Sequence, residues 1–166
     1  KKKVKPTNFV RAGGLQYITT ATASAVASLD MVLTSYSAYR GLRFHLVNIL
    51  PQTDDPILYM RLSTDGGSSY NATGYLAQVA LQSSATVSVQ SSTIGFQLTS
   101  STGTGKVSNV AGEGGYTGHF DLWNFTSSTP YPRTNGLGSY YSASAGDVLC
   151  WFGGNFTTSR DTDAVQ

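Results

Sequence analysis

Apolar residues in this chain alternate with polar ones at a period of two, in short runs closed by Gly, Ser, Asn or Pro. No long segment carries them at helical spacing. The clearest run is Gly41 to Leu50, where Leu42, Phe44 and Leu46 alternate with Arg43 and His45 before Val47 and Ile49 extend the apolar stretch. This pattern predicts a strand with one buried face at first and burial on both faces later. Further strands are predicted at Ile57–Leu62, Tyr75–Leu81, Thr86–Val89, Ile94–Leu98, Tyr116–Phe125, Leu137–Tyr141 and Asp147–Phe152. Ala21–Leu29 is Ala-rich but broken by Ser and Thr, and reads equally as a helical turn or the start of a strand. Many short strands without intervening helices imply antiparallel sheets, so the expected fold is all-β: an antiparallel, jelly-roll-like β-sandwich.

The 166 residues favour one domain, with enough chain to bury a core without disulfides or metals. Charged residues are 12% of the chain, about half the usual share, and Ser, Thr, Asn, Gln and Gly supply the polarity. The charge is also uneven. Lys1, Lys2, Lys3, Lys5 and Arg11 crowd the first eleven residues, while the remainder carries six positive and nine negative charges. Residues 1–13 are therefore expected to form a basic N-terminal arm and 14–166 a single sandwich domain. The arm reads either as a solvated tail or as an anchor to nucleic acid or an acidic neighbour. Nucleic-acid binding by the folded body is not expected, because it wants a basic face. No apolar stretch reaches the roughly 18 residues of a membrane span, and no apolar run follows the lysines, so a signal peptide is not expected there. The end of the chain, Arg160 to Gln166, runs through a turn into the start of something apolar, as though the closing strand were absent. An edge left open there would invite pairing with a partner.

Ser63-Thr64-Asp65-Gly66-Gly67-Ser68-Ser69-Tyr70 fits S-x-D-x-G-x-x-aromatic and resembles the Asp-box of sialidases and related β-proteins. Ser63, Asp65, Gly67 and Tyr70 are expected to build a structural turn: Asp65 accepts from turn amides, Gly supplies positive φ, and Tyr70 packs beneath. No contiguous catalytic motif is present and G-x-S-x-G is missing, while a Ser-His-Asp triad, whose members need not be adjacent in sequence, stays open. His45 and His119 stand alone in sequence, with Asp121 near His119, and no metal-ligand spacing is present. Gly103-Thr104-Gly105-Lys106 lacks the spacing of a phosphate loop. Glu113, Asp121 and Asp147 lie near the aromatic-rich half, but nothing pairs them as a glycosidase would require. Cys150, the sole cysteine, falls in an apolar strand and is expected to be a buried structural thiol. Asn71, Asn124 and Asn155 head N-x-T sequons, which matter only in a secreted eukaryotic chain. No cofactor is expected. The stretch Tyr116–Trp151 gathers Trp123, Tyr131, Arg133, Asn135, Tyr140, Tyr141 and Trp151. Such residues serve core packing, a subunit interface or glycan binding alike.

Tyr39 to Pro51, with its Asn48-Ile49-Leu50-Pro51 ending, and Leu58 to Tyr70, with Arg61, Ser63, Asp65, Gly66 and Gly67, resemble a family of small β-sandwich proteins of tailed bacteriophages and related elements. Members of that family usually continue into a Gly-rich closing strand. The resemblance implies a non-enzymatic virion component, a fibre, spike or decoration subunit on the particle surface. It would contact sibling subunits, other virion proteins or a host surface glycan, and would be oligomeric, a trimer being favoured. The contact residues expected on this reading are Trp123, Tyr131, Arg133, Tyr140 and Tyr141, with the lysine arm as anchor. Two alternatives stay open: a jelly-roll capsid shell subunit whose arm neutralises genome, and a glycan-processing enzyme.

Overall fold

The structure, a computed structural model, describes residues 15–54, 56–83, 86–102, 106–126, 130–158 and 162–166. The basic arm, residues 1–13, and Gly103–Gly105 lie outside the described residues. The chain is nearly all β. Among the described residues eleven strands follow one another: β1 (Met31–Val32), β2 (Gly41–Ile49), β3 (Tyr59–Met60), β4 (Leu62–Ser63), β5 (Tyr75–Ser83), β6 (Thr86–Ser92), β7 (Phe96–Gln97), β8 (Tyr116–Trp123), β9 (Arg133–Ser142), β10 (Gly146–Phe156) and β11 (Ala164–Val165). Six form one antiparallel sheet in the order β2-β8-β9-β10-β5-β6. The short strands form the opposing layer as β1-β11-β4 and β3-β7. The chain passes repeatedly from one layer to the other, and one apolar cluster fills the space between them. Ala21–Leu29 is neither helix nor strand. No described helix is long and apolar enough to cross a membrane.

The alternation in β5 is complete: Tyr75, Ala77, Val79 and Leu81 are buried, and Leu76, Gln78 and Gln82 are exposed. In β2 it fails where burial on both faces was expected, since Val47 is 73% exposed. The cause is a bulge between Leu46 and Ile49. Asn48 takes a left-handed φ of 52° there, accepts the Gly115 N–H on Oδ1 at 2.9 Å, and donates its own N–H to Thr117 Oγ1 at 3.0 Å. On the inner face Gly138 leaves room for the Tyr116 ring, which a side chain at 138 would strike.

The strand expected at Ile57–Leu62 is split into β3 and β4, because Arg61 exchanges both backbone bonds with Gln166 at 2.9–3.0 Å. Those bonds help place β11 between β1 and β4, with Met31 opposite Val165 and Ala164 opposite Ser63. The apolar residues at the end of the sequence are thus themselves a strand with partners on both sides. Tyr75 ties the layers together. Its ring packs against Phe96 (5.0 Å, edge-on) and Phe156 (4.8 Å), and its hydroxyl accepts the buried Leu62 N–H at 2.8 Å.

Candidate functional site

The inner alternation decides what the outer face of the six-stranded sheet displays, because successive side chains point to opposite sides. Cross-strand register places these residues in rows. One row runs Gly41–Trp123–Arg133–Asn155–Leu76, the next Arg43–Asp121–Asn135–Gly153–Gln78. A third runs His45–His119–Leu137–Trp151–Ala80–Val89.

The first two rows enclose a shallow groove of about 500 Å³, open to solvent. Its main aromatic is Trp123, 46% exposed. The indole lies across the sheet. At one end its six-membered ring occupies the space over Gly41, where a methyl group would collide with it. At the other end Nε1 donates to Asn135 Oδ1 at 3.3 Å. Arg133, Asn124, Asn135 and Asn155 supply polar groups around it. Beside the groove, Arg43 donates from Nε to Asp121 Oδ1 at 2.6 Å and from its terminal nitrogen to Oδ2 at 2.7 Å. This bidentate pair holds the Asp121 carboxyl below the ordinary carboxylate range and raises Arg43.

The expected contact residues separate. Trp123 and Arg133 are direct register partners and line the groove together. Tyr140 is a correction: it is 4% exposed, because β9 turns its even positions inward, and its hydroxyl accepts the Ser100 N–H at 3.1 Å. Its ring serves the core and offers no contact surface. Tyr141, half-buried, borders a second depression of about 600 Å³ with Glu113 and Asp147. Glu113 there accepts a hydrogen bond from Ser108. Tyr131 lines neither depression. The arm residues Lys1, Lys2, Lys3, Lys5 and Arg11 lie outside the described residues.

The turn forms as its residue types require. Ser63 Oγ donates to Asp65 Oδ1 at 2.7 Å and accepts the Gly67 N–H at 2.9 Å. Asp65 also accepts from Ser69, its N–H at 2.9 Å and its hydroxyl at 2.6 Å. Hydrogen bonds from the Ser69 and Ser63 hydroxyls, with help from the Ser69 amide, pull the Asp65 carboxyl down to about 2. Gly66 and Gly67 have φ of 71° and 91°, and Tyr70 packs against Gly67. All of this is local hairpin chemistry. Cys150 is fully buried, and burial pushes its thiol up to about 11.

Two features escaped the sequence reading. His45 and His119, isolated in sequence, are direct cross-strand partners with ring centroids 6.0 Å apart. Asp121, expected beside His119, spends both oxygens on Arg43. Among the described residues no group of three or more His, Cys, Asp or Glu is placed to hold a metal ion. The second feature is the exposed apolar set Leu137, Trp151 and Val89, flanked by Leu149 and Val87 in the adjoining row. Its sequence signal was the outward half of each alternation, where Leu149 and Trp151 stand in polar positions.

Fold and site together define an all-β sandwich that presents an aromatic, amide-lined groove and an apolar strip on one open sheet face. No family model, curated protein or solved structure matches the chain.

Proposed function

We propose that this protein is a non-enzymatic subunit of a bacteriophage particle, a fibre, spike or decoration at the surface, which contacts host glycans through the Trp123 groove and sibling subunits through the apolar strip. The observation that carries the reading is the indole of Trp123, laid flat and exposed in a groove of amides and one guanidinium. Sugar rings stack their C–H faces on such a surface while amides and Arg meet the hydroxyls. The strip of Leu137, Trp151, Val89, Leu149 and Val87 supports the sibling contact, since contiguous exposed apolar surface marks interaction sites. The resemblance of Tyr39–Pro51 and Leu58–Tyr70 to phage sandwich proteins supports the particle surface as the location. Oligomerisation, as a trimer, follows from the same reading.

The test combines light scattering with a glycan array. The expected result is an oligomer that Trp151→Arg dissociates, and array binding that Trp123→Ala removes without loss of fold. A strict monomer would remove the sibling contact from the reading, and array binding indifferent to Trp123→Ala would remove the groove.

A further inference from the structure

The groove presents one cationic group, Arg133, and no described acidic residue lines it. Arg133 stands at its centre, register partner of Trp123 on one side and Asn155 on the other. Its guanidinium makes no hydrogen bond or ion pair with another described residue, and no described residue lining the groove is acidic. The acidic residue in the adjoining row, Asp121, has both carboxylate oxygens committed to Arg43. That pair is self-neutralised, so no described residue compensates the charge of Arg133.

The amides add a second asymmetry. An indole N–H only donates, so the Asn135 atom facing Trp123 is its oxygen, and the NH₂ of that amide is what remains. Arg133 brings five N–H donors and no acceptor. Asn124 and Asn155 each add a carbonyl acceptor as well as N–H donors, so with Arg133 the donors of the groove outnumber its acceptors. Neutral sugar hydroxyls want both donors and acceptors. A carboxylate wants donors only, and the planar fork of an arginine meets it with two parallel bonds. Trp123 is held in place by Gly41 and Asn135, so stacking requires no rearrangement.

We infer that the groove selects a sugar bearing a carboxylate, with the sugar ring on the Trp123 indole and the carboxylate on the Arg133 guanidinium. This rests on the glycan reading above and narrows its ligand class. Hexuronic acids and sialic acids share the required chemistry.

Two matched pairs of probes test it by calorimetry: a hexuronic-acid oligosaccharide against its carboxyl-reduced neutral counterpart, and a sialylated trisaccharide against its desialylated core. The acidic member of at least one pair should bind about tenfold to hundredfold tighter, the range for a charge-assisted bidentate contact. Whichever pair shows the preference identifies the source of the carboxylate. Raising the salt should shrink that preference. Arg133→Gln should bring the acidic-to-neutral ratio close to one, and Arg133→Lys should leave an intermediate ratio, since charge survives and the fork does not. Equal affinities within both pairs, or a preference that survives Arg133→Gln, would overturn the inference and leave the glycan reading standing. Absence of binding by every probe, or binding unchanged in Trp123→Ala, would overturn both.

Discussion

Removing the hydroxyl of Tyr75 should cost this protein about 2 kcal/mol, the penalty for leaving a buried donor unsatisfied. The geometry gives the reason. Along β4 the backbone groups of Arg61 and Ser63 bond to β11 through Gln166 and Asp163. The Leu62 N–H points the other way, where no described strand follows, into a wholly buried position. Tyr75 Oη stands in for the missing carbonyl at 2.8 Å and donates its own O–H to the Asn71 carbonyl at 3.1 Å. Burial pushes the phenol up to about 12, so it stays protonated across the working pH range. Tyr75→Phe keeps the packing on Phe96 and Phe156 and deletes only this bridge. For a chain of this length about 2 kcal/mol corresponds to a melting temperature lower by about 4–8 °C. Tyr75→Ala should cost about 3 kcal/mol or more beyond that, because the cavity left by a buried ring adds to the lost bond. Urea unfolding of the two variants separates the hydroxyl from the ring. A Tyr75→Phe protein within about 0.5 kcal/mol of wild type would refute the reasoning, since that is the scatter of unremarkable substitutions.

Three further outcomes follow. Asp65 is depressed to about 2 in the fold against about 3.9 unfolded, so its contribution is complete above pH 4 and disappears as pH falls towards 2; Asp65→Asn should flatten that limb of the stability–pH curve, and an unchanged limb would show that other carboxyls cause it. Gly41→Ala should push the indole of Trp123 off the sheet at a cost of about 1–3 kcal/mol, seen as a shifted tryptophan emission in a Trp151→Phe background; an unshifted spectrum would mean that Gly41 does not position the ring. Cys150, raised to about 11 and fully buried, should resist iodoacetamide at pH 8 by at least about two orders of magnitude relative to an ordinary thiol and react on addition of urea; rapid alkylation of the native protein would contradict its burial.

Local features were legible in the sequence because local chemistry decides them. The alternation in Tyr75–Leu81 needs no partner to declare its buried face, and the side chains of Ser63, Asp65 and Ser69 bond within their own turn. Cys150 sits in an apolar run, and apolar runs bury. What the sequence did not disclose are the consequences of pairing across long separations. Arg43 and Asp121 lie 78 residues apart and meet only because β2 takes β8 as its neighbour. The same pairing sets His45 beside His119, and nothing near either residue announces it. Val47 reads as buried until the bulge at Asn48 turns it out. Tyr140 and Tyr141 look alike in sequence, and which one faces the core depends on where β9 begins. A closing strand looked absent because the partners of Ala164–Val165, Met31–Val32 and Leu62–Ser63, are distant in sequence.

The groove inherits its geometry from the core. Trp123, Asp121 and His119 face outward because Leu122 and Phe120 face inward, and the same holds for Arg133 and Asn135 around Thr134. A slip of one residue between β8 and β9 would bury the charged and amide side chains and expose the apolar ones. Phe120, stacked on Phe44 at 4.7 Å and edge-on to Phe152 at 6.3 Å, opposes that slip, as does the bond from Thr134 Oγ1 to the Asp121 carbonyl at 2.9 Å. Recognition groups therefore stand on paired strands whose register the core enforces, with the indole of Trp123 held between two of their residues. A site built this way needs no ordering before it binds, so the proposed selectivity of Arg133 for a carboxylate would not be diluted by the cost of assembling the groove.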